Sequence, residues 1–185
     1  MTYTWSMAGF TYRKNLDGSA YVPALRRFGV KASTTYSVGD AIRINTSGTV
    51  SLAAAPSSGA DNGIAGIVVQ VVDANGLPIT PDSGKLETWT IAASGTTTGY
   101  KVDFIPALPN YLFYNDSSGT LSAATLLMYA DLSNEYQVNQ SSLTDTATAQ
   151  VRLIEIDPDH DADASKGLFQ IVESQFGQLG VGNAA

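Results

Sequence analysis

The chain contains no cysteine, which removes disulfide frameworks, thiol nucleophiles and thiolate metal sites from consideration. It has one histidine, His160, so any Ser-His-Asp arrangement would depend on that single imidazole, and no G-x-S-x-G nucleophile turn accompanies it. Charge is sparse, at 15% of residues. No window is apolar over the length of a membrane span, and Met1 to Phe10 carry no basic region ahead of an apolar run; a soluble protein is the expectation. No glycine-rich stretch opens a helix as a phosphate-cradling loop does. No period of about 20 to 50 residues repeats.

What is present is β-rich. The 185 residues are enough for one domain that buries a substantial core without staples. Short apolar runs alternate with Gly, Asn, Asp and Ser clusters at a spacing that favours a sandwich or barrel. Strands are expected at Tyr36–Ile44 around a Gly39-Asp40 turn, at Thr49–Leu52, and at Ile64–Val72, the most β-branched run and the expected central strand. Others are expected at Leu86–Ala92, at Tyr100–Phe104 with Lys101 and Asp103 facing out, and at Tyr111–Tyr114. Ser122 caps a short helical connector. From Thr146 to Phe176 two strong strand patterns flank an acidic loop, which predicts a closing hairpin.

The acidic loop places Asp157, Asp159, Asp161 and Asp163 at alternate positions around His160. A calcium loop started at Asp157 would need Gly and Glu where Ala162 and Leu168 stand, so a solvated loop is the reading and no dedicated metal site is expected. No pair of carboxylates stands out as a glycosidase couple. Trp5, Trp89, Tyr111, Phe113 and Tyr114 could form a sugar-stacking platform, but alternating aromatics in strands are ordinary core material.

Residues 1–32 have a different character. They lack sustained periodicity, are rich in aromatics, and carry Arg13, Lys14, Arg26, Arg27 and Lys31 against Asp17 alone, a local balance of +4 in a chain of net charge −7. An ordered N-terminal arm is expected, followed by a β-rich body at 33–177 and a C-terminal tail at 178–185. A basic arm on an acidic body fits docking onto an acidic partner or a neighbouring copy, and the negative net field disfavours nucleic acid. Arg26-Arg27 ahead of Phe28 is expected to form an arm-to-body or subunit salt bridge.

Several pieces, in this order and spacing, resemble tailed-bacteriophage virion proteins of the head decoration, or capsid cement, family: Arg13-Lys14-Asn15-Leu16-Asp17-Gly18-Ser19-Ala20-Tyr21 leading to Arg26-Arg27-Phe28; Tyr36-Ser37-Val38-Gly39-Asp40-Ala41; Ile64-Ala65-Gly66-Ile67-Val68-Val69; and Ser141-Ser142-Leu143 with Thr146 to Leu153. The resemblance covers most of residues 10–177. It implies a non-enzymatic, cofactor-free protein on the outer surface of the capsid, commonly a homotrimer, that bridges major capsid proteins. It also implies that Arg13, Lys14, Arg26 and Arg27 meet acidic capsid or subunit surface while Tyr12, Tyr21 and Phe28 anchor. A tail, neck or head-fibre part, or a carbohydrate-binding module, are the alternatives. The expected fold is all-β, a single sandwich or barrel-like domain with an extended arm.

Overall fold

A computed structural model describes residues 9–19, 23–53, 63–82, 87–93, 99–144, 149–157 and 165–176. In chain order the strands are β1 (Thr11–Asn15), β2 (Arg26–Val30), β3 (Thr35–Ser37), β4 (Ala41–Ile44), β5 (Thr49–Leu52), β6 (Gly66–Val72) and β7 (Thr88–Thr90). They continue as β8 (Lys101–Pro106), β9 (Tyr111–Asp116), β10 (Tyr129–Ala130), β11 (Leu132–Asn134), β12 (Gln137–Val138), β13 (Val151–Ile156) and β14 (Lys166–Ile171). The fold is all-β, as the sequence predicts. The expected connector at Ser122 is a single 3-10 turn, Ala123–Thr125, in which the Ser122 amide donates to Thr125 Oγ1 at 3.0 Å.

Five strands close a small barrel in the order β2-β5-β4-β6-β8, and five more form an antiparallel sheet in the order β1-β9-β14-β13-β10. The predicted hairpin is the centre of that sheet: β13 and β14 pair antiparallel from Val151↔Ile171 to Ile156↔Gly167, and β14 pairs β9 on its other side. The loop joining them, with His160, Asp159, Asp161 and Asp163, lies outside the described residues.

Two cores result, and they share a wall. Inside the barrel, Ile42, Val50, Val68, Val71, Val102 and Phe104 pack with Tyr36, Trp89 and Ile91. Between barrel and sheet, Ala41, Ile64 and Ile67 pack against Tyr111, Phe113, Val151, Leu153, Phe169 and Ile171. Neighbouring residues of one strand therefore serve different cores: Ala41 and Ile42 on β4, and Ile67 and Val68 on β6. Side-chain alternation along a strand makes this possible, and it explains why the sequence here is apolar without a polar alternate. Val68 and Val71 both enter the barrel although they are three apart, because the pairing of β6 with β8 skips a residue between Val68 and Gln70. The bulge resets the face.

The stretch expected as an arm contributes to both layers. Thr11–Asn15 is the edge strand β1 of the sheet, paired with β9, and Arg26–Val30 is β2, paired with β5 and β8 in the barrel wall. Both are short and polar-rich, and cross-strand partners distant in sequence supply the pairing that local periodicity does not announce.

Candidate functional site

Of the seven residues expected to make contacts, the six described fall into two neighbourhoods, one on β1 and one on β2. Tyr12 is half-buried, its ring edge-on to Tyr111 at 5.2 Å and its hydroxyl donating to Asn15 Oδ1 at 3.0 Å. Arg13 is the extra residue of a bulge, since Tyr12 pairs with Phe113 and Lys14 with Leu112. It is exposed, with its guanidinium 5.4 Å from the centroid of the Tyr114 ring, a cation–π distance. Lys14 Nζ reaches Glu155 at 2.8 Å. Arg26 is exposed on the barrel, and Phe28 packs towards Phe104 with ring centroids 6.0 Å apart. Tyr21 lies outside the described residues.

Arg27 is held within its own chain. Its Nε and Nη2 fork onto Asp103 at 2.5 and 2.8 Å, and Gln70 Nε2 donates to the same carboxylate at 2.9 Å. Register explains the cluster: Asp103 stands opposite Arg27 on one side and Gln70 on the other. The expected outward-facing Asp103 is therefore 2% exposed on the outer face of the barrel. Burial opposes its charge, but the Arg27 fork and the Gln70 amide outweigh it and hold the carboxyl below its ordinary value. A depressed carboxyl contributes stability above the unfolded value that is lost as pH falls through the folded one. In Arg27→Met the buried carboxylate loses its fork, so the variant's deficit is largest near neutral pH and shrinks in acid. Urea midpoints of both proteins at about pH 7.5 and about pH 3.5 measure this; a deficit equal at both would remove the charge argument.

Of the five rings considered as an aromatic platform, three are buried, Tyr114 is half-buried with the Arg13 guanidinium over it, and Trp5 lies outside the described residues. Trp89 is 7% exposed, Tyr111 1% and Phe113 0%, and Trp89 Nε1 donates to the Ile79 carbonyl at 2.8 Å. These rings are core. Among the described residues, no three His, Cys, Asp or Glu side chains gather closely enough to hold a metal ion. Two carboxylates do approach each other at Asp131 and Glu173. Burial raises both, and the Asp131 charge raises Glu173 further.

The most constructed polar site is not legible in the sequence. A groove of about 460 Å³ lies where β3 and the β4–β5 pair meet the β11–β12 hairpin, and its lining includes Lys31, Asp40, Arg43, Ser51, Glu135 and Tyr136. Asp40 ends a tight turn in which its amide donates to the Ser37 carbonyl at 3.1 Å, with Gly39 at φ +91° in the left-handed position such a turn requires. The Asp40 carboxylate accepts from the Ser37 amide at 2.7 Å and is otherwise enclosed, the residue being 4% exposed. Burial pushes its carboxyl up to about 7, against the Ser37 bond and with help from the Glu135 charge. Glu135 is fixed beside it because the Ala41 amide donates to the Glu135 carbonyl at 2.6 Å. Arg43 Nε donates to Ser51 Oγ at 3.2 Å across the β4–β5 pair, and Tyr136 is 41% exposed. The site thus offers fixed acceptors, fixed donors and one open ring. Compared with protein-family models, curated proteins and solved structures, the chain matches none.

Proposed function

We propose that the chain is a capsid decoration protein of a tailed bacteriophage, binding the outer surface of the head and bridging major capsid proteins as a homotrimer. The observation that supports this reading is the chemistry exposed at Arg13, Leu16, Leu25 and Arg26. Arg13 and Arg26 are exposed, as are Leu16 at 51% and Leu25 at 46%, next to or within strands anchored in the sheet and the barrel. Arginine with exposed aliphatic side chains is the composition of a protein–protein contact, and anchoring it on strands lowers the ordering cost of binding. The bulge at Arg13 blunts β1 against further strand pairing, which directs the contact to side chains. Arg27, committed to Asp103, is left out of the contact set, and the partner surface is acidic and partly apolar.

The experiment mixes purified protein with capsids stripped of it and measures bound copies per capsid, with light scattering reporting the free oligomer. Wild type is expected to bind at fixed stoichiometry, and the triple variant Arg13→Ala, Leu16→Ala, Arg26→Ala to bind at least about tenfold more weakly while melting as wild type does. Wild type that ignores capsids sinks the reading. A variant that binds undiminished sinks the assigned contact.

A further inference from the structure

We propose that the groove between β3, the β4–β5 pair and the β11–β12 hairpin binds a neutral saccharide, with Asp40, Glu135, Arg43 and Lys31 bonding its hydroxyls and Tyr136 stacking on its ring. This site is separate from the capsid contact, since none of these residues belongs to the set above.

Size, lining and charge each narrow the ligand. At about 460 Å³ the groove has the volume of a small-molecule site and suits one or two sugar rings. Its lining residues carry hydroxyl, carboxylate and cationic groups, with Leu52 the one aliphatic side chain and carbon stems adding apolar surface between the polar groups, so a ligand that pairs hydroxyls with C–H faces uses the groove better than a purely apolar one. Arg43 and Lys31 stand against Glu135 and a partly protonated Asp40, so the groove carries little net charge and no strong preference for a charged molecule. A hydroxyl both donates and accepts, and a row of hydroxyls is the chemistry that uses carboxylate acceptors and guanidinium or ammonium donors together.

The groups are also prearranged. The Ser37 amide fixes one oxygen of Asp40; the residue, though only 4% exposed, lines the groove, where its other oxygen would meet an incoming O–H. Glu135 makes no ion pair among the described residues and lies within electrostatic reach of Asp40; an O–H placed between the two carboxylates relieves their repulsion. A divalent cation would relieve it too, but Arg43 and Lys31 line the same groove and oppose one. Tyr136 lines the groove and is 41% exposed, so its ring is available to cover the C–H face of a pyranose.

The test is ligand-observed saturation-transfer NMR of the full chain against glucose, galactose, N-acetylglucosamine and their disaccharides, with glycine as a control ligand and calcium chloride added as a competitor whose binding is read by calorimetry. Saturation transfer to at least one saccharide is expected, with affinity falling about tenfold or more in Glu135→Gln and in Tyr136→Ala. Both positions are partly or well exposed, so melting curves are expected to match wild type. No transfer to any saccharide overturns the proposal, as does binding untouched by both variants, or binding of calcium or glycine here in place of sugar.

Discussion

Asp40→Asn is expected to be more stable than the wild type at about pH 8.5, and by nearly nothing at about pH 4. The sign follows from where the carboxyl sits. Unfolded, Asp40 ionises near 3.8; folded, burial pushes it to about 7. The native state therefore holds the proton more tightly, and stability falls as pH rises from the unfolded value through the folded one, then levels off. The gap between those two values caps the loss at about 4 kcal/mol. An amide carries no charge to desolvate and has an oxygen to accept from the Ser37 amide, so the substitution removes the penalty and keeps the turn. Urea unfolding of both proteins across this range checks it. Equal pH dependence in the two would mean that the Asp40 carboxylate is solvated. A gain in stability with a loss of saccharide signal would also show a carboxyl kept for binding at a cost in stability.

Gly66→Ala is expected to destabilise the protein by about 3 kcal/mol or more, near the top of the range for overpacking a core. Gly66 begins β6, pairs with Ile42 and with Pro106, and is buried. A methyl group there runs into the Ile105 carbonyl oxygen and the Phe104 ring. The ring can tilt, though Phe104 is fully buried in the barrel, but the carbonyl belongs to the backbone of β8 and moves only with the barrel wall. Gly18→Ala, whose added methyl meets nothing within 4 Å but carries a φ of +83°, is a useful comparison: its cost is that of backbone conformation alone, about 1 kcal/mol. A thermal melt ranks the two. Parity between them would mean that the barrel yields at β8.

How far the chain can be read depends on where each cause lies. Strands β6, β8, β9, β13 and β14 are legible because their apolar residues recur locally and turn residues bound them. β1 and β2 are not, because Arg13-Lys14-Asn15 and Arg26-Arg27 give no alternating apolar face, and their partners on β9 and β8 lie far along the chain. Alternation puts Asp103 outside the barrel, and it is outside; the Arg27 and Gln70 side chains that shield it from solvent come from other strands. The polar groove is hidden for the same reason. Asp40 is a single carboxylate in a turn, Glu135 a single carboxylate in a hairpin, and only the Ala41–Glu135 backbone bond makes them neighbours.

The wall shared by two cores has a further consequence for how the chain finds its alignment. In a strand with one wet face, sliding by one position exposes every apolar side chain, and that penalty enforces the correct alignment. On β6 a slide would merely trade Ile67 for Val68, apolar for apolar, and the penalty nearly vanishes. Shape must do what polarity cannot: Gly66 fits only where β8 crowds it, and the residue skipped before Gln70 fits only where Gln70 meets Asp103. Those two features act as the ratchet teeth of the barrel, and filling the first or straightening the second would let the wall settle one notch out of place.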